Sequence, residues 1–312
     1  MPLHAYLMAA ALCCAHALPA QAGAAVASQC PTVPDGPATD PETPAPATPY
    51  GEGLFFRVER PGVAPSHVFG TIHLDDPRLH RLPPQVNLAL LQGSRLVLET
   101  LVDEAAQATF SRLMNLPAGQ SLSDWMGGDV LARYHRLAAH YGVPAEQALG
   151  LKPWAATSLV GRPRAVSGRT MEDVLRETAR QMGRPVFGLE TIEELIAAQE
   201  EQPVEEQVTV LVDTICNHPR VMADTVTLME LYGRGDLAAI ARQNESGHEG
   251  DPLFQRMNER MLYARSEQMV ARMQEHLQAG GALVAVGALH LTGERGILRL
   301  LENQGYTITR EF

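Results

Sequence analysis

Four apolar segments of this 312-residue chain each run into a side chain that can bind a metal ion or move a proton. His67-Val-Phe-Gly-Thr-Ile leads to His73, and Arg95-Leu-Val-Leu leads to Glu99. Pro185-Val-Phe-Gly-Leu leads to Glu190, and Leu283-Val-Ala-Val-Gly-Ala-Leu leads to His290. Short apolar, β-branched runs bounded by turn residues read as buried strands. In α/β sheets ligands sit beyond the carboxyl ends of parallel strands. If these strands are parallel neighbours, two imidazoles and two carboxylates converge, a donor set suited to a divalent transition metal. Taken singly, each residue has a plainer reading: a hydrogen-bonded loop histidine, or a glutamate that caps the next helix. The four together point to a site.

Two of the segments resemble each other. Val68-Phe-Gly-Thr-Ile-His73-Leu74 parallels Val284-Ala-Val-Gly-Ala-Leu-His290-Leu291, and both place Gly three residues before His. Glycine lets a neighbouring backbone or ligand approach closely. The likeness predicts two related halves, each delivering one histidine to a shared site.

The elements that must position these residues alternate. Strands are predicted near Leu54–Val58, His67–Ile72, Arg95–Glu99, Pro185–Leu189, Ala282–Leu289 and Tyr306–Thr309, and helices near 84–92, 171–182, 191–201, 205–216, 221–232, 236–243, 254–278 and 293–304. Shorter helical patterns at 121–125, 130–141 and 144–149 fill the middle. The expected fold is α/β: a central, mostly parallel β-sheet covered by helices, with a helical middle region. Residues 51–312 read as one domain without a clean internal boundary.

The ends read differently. Leu7 to Leu18 is an Ala-rich apolar run followed by Ala20-Gln21-Ala22, a small-x-small cleavage site, so residues 1–22 are expected to be a signal peptide. Residues 23–50, with Pro, Thr, Ala and Asp from Pro31 to Pro49, read as a disordered Pro-rich linker. The mature chain is then exported, periplasmic or secreted, with no transmembrane helix. Loss of Cys13 and Cys14 with the leader leaves Cys30 and Cys216, either a disulfide or two unpaired thiols. The formal net charge of -11 and the lack of a basic run argue against nucleic acid. His218 and His248 read as surface residues of helix-connecting loops.

The motifs resemble those of the TraB/GumN family, which is related to the Tiki metalloproteases. The opening is carried by Gly70-Thr71-Ile72-His73, Leu82-Pro83 and Arg95 to Glu99. The middle is carried by Lys152-Pro153-Trp154, Gly188-Leu189-Glu190-Thr191 and Gly233-Arg234-Gly235-Asp236, and the ending by Val286 to Gly293 with Gly305-Tyr306. Two departures stand out. The family's Arg-Asn pair in the long helix is Arg265-Ser266 here, and the Asp it places near residue 171 is missing from Arg169-Thr170-Met171.

The resemblance implies a metal-dependent, peptidase-like hydrolase acting on a peptide or a small amide or ester. His73 and His290, with one or both of Glu99 and Glu190, would be the metal ligands, for manganese, cobalt or zinc. One glutamate left off the metal would be the general base, and Arg265 would stabilise the developing oxyanion. A metal-free hydrolase with a His/Glu pattern, as in erythromycin esterases, is the alternative. A non-catalytic, envelope-associated binding protein on the same scaffold is a further one.

Overall fold

The six predicted strands form one sheet in a computed structural model that describes residues 26–30 and 48–312. From the start the elements are β1 (Phe55–Glu59), β2 (Ser66–Thr71), α1 (Pro84–Gln92), β3 (Arg95–Thr100), α2 (Glu104–Leu113), α3 (Gly128–His140), α4 (Ala145–Leu149) and α5 (Pro153–Val160). Next come α6 (Met171–Gln181), β4 (Val186–Glu190), α7 (Ile192–Glu200), α8 (Val204–Cys216), α9 (His218–Gly233) and α10 (Leu237–Glu245). The chain closes with α11 (Pro252–Asn258), α12 (Arg265–Ala279), β5 (Ala282–Gly287), α13 (Ile297–Asn303) and β6 (Thr307–Arg310).

Strand order is β4-β3-β5-β2-β1-β6. The four strands that lead to candidate residues are contiguous, and each neighbouring pair among them is parallel. β1 and β6 add an antiparallel edge. β5 is buried along its whole length, as expected of a central strand covered on both faces. The fold is therefore the expected α/β sheet, mostly parallel, with helices around it.

Two apolar cores lie side by side. One joins the sheet to α1, α6, α12 and α13, through Phe69, Leu96, Val284, Met269 and Leu298 among others. The other is built within the helical middle, around Tyr134, Leu159, Leu211 and Ile215, with Ile192 and Met261 reaching it from α7 and the segment before α12.

Several expectations change. Residues 26–30, read as linker, are ordered: Ala27 forms a β-bridge with Met126, and Asp129 N–H donates to the Ser28 carbonyl at 2.9 Å. Cys30 and Cys216 are joined in a disulfide that pins this arm to the end of α8. The expected leader at 1–22, and residues 23–25 and 31–47 of the linker, lie outside the described residues. α2 and α5 go beyond the predicted helices. The single helix predicted at 254–278 is α11 and α12 with a π-helical segment, Glu259–Ala264, between them. His248 is buried and stacks on Phe254 at 4.3 Å between ring centroids, and His218 opens α9 beside Tyr141, so neither is the surface residue expected. Short polar loops look exposed in sequence, but here they fold back onto the helical core.

Candidate active site

The carboxyl ends of β2, β3 and β5 bring His73, Glu99 and His290 together. β2 and β5 pair with Thr71 opposite Gly287, so the two Gly-x-x-His motifs lie side by side, offset by one residue. Each glycine makes room for the other motif. A Cβ on Gly70 would stand 2.8 Å from Leu291 Cδ1 and 3.2 Å from Ala288 Cα. A Cβ on Gly287 would stand 2.9 Å from His73 Nε2 and 3.3 Å from Glu99 Oε2. A Cβ at either position would have to push these neighbours aside, so glycine lets the two motifs and the Glu99 group pack together undisturbed.

Glu99 is the centre of the group. It is buried, and its Oε2 accepts from the Gly287 N–H at 2.8 Å. His73 Nε2 lies 3.6 Å from the same oxygen, and His290 Nε2 lies 3.9 Å from Oε1. The far nitrogens of both rings are taken. His73 Nδ1 is 2.7 Å from Glu172 Oε1, and His290 Nδ1 is 2.8 Å from Ser266 Oγ. The Ser266 hydroxyl also lies 2.7 Å from the Leu262 carbonyl, to which it donates, so it accepts from His290 Nδ1–H. His290 thus presents a bare Nε2 to the Glu99 carboxylate, the tautomer that metal-binding histidines take when a second group holds their other nitrogen, and His73 directs its own Nε2 at the same carboxylate.

Arg265 links the group to Glu190. Its Nη2 donates to Glu99 Oε1 and to Glu190 Oε2, each at 2.6 Å, and its Nε donates to both oxygens of Glu190 at 3.1 Å. Its Nη1 donates to the Met261 carbonyl at 3.0 Å. The π-helical segment ends at Ala264, and the next two residues, Arg265 and Ser266, both reach the site. π-segments within helices recur at functional sites.

Burial and charge set the protonation states. Burial is the largest influence on Glu99 and would raise its pKa, but Arg265, His290 and His73 together overcome it and hold the carboxyl well below the usual range. Burial also dominates at Glu190, and there the pKa is raised despite Arg265. His290 is pushed down to about 4 by burial, which keeps it neutral. Burial opposes the charge on His73, yet Glu172 and Glu99 push its pKa up to about 10. Two buried carboxylates (Glu99 and Glu190) share the Arg265 guanidinium, and a third, Glu172, pairs with His73. The deficit of positive charge is met by a proton on His73 or by a bound cation.

Of the predicted residues, His73, Glu99 and His290 meet directly and Arg265 joins them. Among the described residues no ion pair within 4.0 Å connects Glu190 to either histidine; it sits on the far side of Arg265. Glu190 also lines a cavity of about 570 Å³ with Leu101, Asp103, Thr109, Thr191 and Glu193. The residue missed in sequence is Glu172. The start of α6 supplies a carboxylate after all, one residue beyond the stretch where it looked absent, and the Thr170 capping box fixes that first turn. Ser266, at the position of the expected Asn, holds His290 instead.

The profile of the TraB/PrgY/gumN family matches residues 54–310. The chain belongs to this family. No curated protein and no solved structure matches it. The family match spans β1 to β6, so it includes both Gly-x-x-His motifs and all four strands that deliver the site.

The donor set suits a metal of the kind the motifs imply. Among the described residues no three His, Cys, Asp or Glu side chains close into a finished metal cage. Yet two donors bound to one first-row ion at about 2.1 Å lie roughly 3–4 Å apart, and the Nε2–Oε separations of 3.6 and 3.9 Å fall within that span. The His290 nitrogen, the His73 nitrogen once a cation takes the place of its proton, and the Glu99 carboxylate form a mixed set whose imidazoles suit zinc or cobalt and whose carboxylate also suits manganese.

Proposed function

We propose that this TraB/PrgY/gumN protein is an exported, divalent-metal-dependent hydrolase with peptidase-like activity. The observation that carries this reading is the pair of histidines whose Nδ1 atoms are held by Glu172 and Ser266 while both Nε2 atoms face Glu99. His73, His290 and Glu99 would hold the metal. When bound, it would supply Lewis acidity toward a scissile carbonyl and lower the pKa of the attacking water.

The chain's own groups do the rest. Glu172 and Ser266 fix the tautomers and orientations of the two rings. Arg265 neutralises Glu99 and Glu190 and holds them in register, which replaces the oxyanion role expected from sequence, because its donors are already engaged with carboxylates and a carbonyl. Glu190 faces the cavity with a pKa raised by burial, the direction of shift that suits a carboxyl group to exchange a proton with a substrate. The cavity beside it has room for a peptide side chain. The disulfide supports export, since such bonds persist in oxidising compartments.

The metal-free alternative draws on one feature, the His73–Glu172 pair, which resembles an activated His–carboxylate dyad. Its weakness is the His73 pKa of about 10, which leaves the ring protonated at neutral pH and unable to accept a proton from water.

Calorimetry on metal-stripped protein with manganese, cobalt and zinc tests the proposal. Saturable binding near one ion per chain, lost in the His73→Ala/His290→Ala double variant, is the expected result. A wild-type protein that binds none of the three ions would remove the metal from the mechanism.

A further inference from the structure

A second cavity, of about 690 Å³, lies on the other side of the first histidine motif. Its apolar wall includes Phe69, Leu79, Met171, Met229 and Tyr232. Phe69 precedes Gly70, and Met171 precedes Glu172, so the wall is the back of the two segments that hold His73 and its partner. The Tyr232 hydroxyl ties them together by donating to the Gly70 carbonyl at 2.8 Å and lying 3.5 Å from Met171 Sδ. None of His73, Glu99, Glu190, Arg265 and His290 lines this cavity.

The polar lining is unusual for a chain of formal net charge -11. Four arginines (Arg78, Arg81, Arg234 and Arg310) line the cavity against two acids, Glu52 and Asp236. Arg78 is paired with Asp76 and Arg310 with Glu52. The Asp236 carboxylate caps α10 by accepting from the Ala239 N–H. That leaves Arg81 and Arg234, for which, among the described residues, no carboxylate lies within 4.0 Å. Two uncompensated guanidinium groups over an apolar wall complement a ligand with a hydrocarbon body and one anionic head. The volume falls in the range of small-molecule sites, roughly 300–1,000 Å³.

We propose that this cavity is a binding site for a compact amphiphilic anion, an alkyl chain of moderate length ending in a carboxylate or phosphate. The chain lies against Phe69, Met171 and Met229, and Arg81 and Arg234 hold the head group. Binding here is independent of metal at the candidate active site.

Titration calorimetry of the full chain with decanoate and with decyl phosphate, each below its micelle concentration, tests this, with 1-decanol as the neutral control. At least one anion binds saturably near one per chain, and decanol binds at least tenfold more weakly. The Arg81→Ala/Arg234→Ala variant, which alters only exposed side chains, lowers the anion's affinity by roughly tenfold or more. Met229→Trp, which fills the cavity, abolishes binding. Absence of saturable binding by both anions overturns the proposal. So does an unchanged affinity in the double-arginine variant, or decanol binding as tightly as the anions. Binding of one anion alone supports the site and identifies its head group.

Discussion

At the scale of single residues, Gly287 is the most constrained position of the site. Its N–H holds Glu99, and its missing Cβ leaves the space in which His73 Nε2 stands. In Gly287→Ala the new methyl would meet that nitrogen at 2.9 Å and Glu99 Oε2 at 3.3 Å, and its backbone φ is not one that demands glycine. The chain therefore folds, but the imidazole is displaced. We expect metal affinity to fall by about tenfold or more, in line with other disturbances of groups that orient metal ligands. A thermal midpoint within a few degrees of wild type should accompany the loss. An alanine variant with wild-type metal affinity would show that His73 is not a ligand. This position was legible in sequence as part of a repeated Gly-x-x-His, as were His73, Glu99 and His290, because strand ends deliver side chains at fixed places. Glu172 was not. It acts from the first turn of a helix, on a histidine 99 positions earlier, and nothing in its local pattern separates it from the many acids that start helices.

At the scale of elements, the strands were legible because each is a short run of apolar residues bounded by turns, while the helices blurred. α5 carries eight buried residues and no amphipathic period, so it gave no helical signal, and the π-segment before Arg265 has no sequence signature of its own. What positions β4 against α12 is a polar clamp: Arg272 donates to the Leu189 carbonyl at 2.7 Å and to Glu194, which in turn caps α7 through Thr191. The Arg272 hydrogen bond is the main cause that brings the Glu194 pKa down to about 2 from 4.5. A depressed carboxylate pKa gives stability that is present above pH 4.5 and lost as pH falls toward 2. Because both side chains are more than a third exposed, solvent screening keeps the effect modest. Glu194→Gln should therefore lower the thermal midpoint at pH 7 and converge with wild type by pH 2. A gap between the two that stayed constant from pH 7 to pH 2 would assign the loss to the cap alone.

At the scale of the whole molecule, the site lies where the two cores meet. Glu99, His73 and His290 rest on the sheet. Glu190 stands between the two, as the last residue of β4 just before α7, and Arg265 begins the helix that follows Met261, a member of the helical core. The Cys30–Cys216 disulfide acts on the helical core alone, closing a loop across a sequence separation of 186 residues. In the chain-entropy view a crosslink over so long a loop stabilises chiefly by restricting the unfolded state, typically by about 2–4 kcal/mol. The Cys30→Ser/Cys216→Ser variant should therefore unfold at a lower temperature. Hydrogen exchange should show α3, α5 and α8 losing protection before β2, β3 and β5, with the proposed metal ligands on the sheet retained until the later step. If all six elements lose protection together, the two cores form one cooperative unit, and the disulfide then stabilises the candidate site as directly as it does the helices around it.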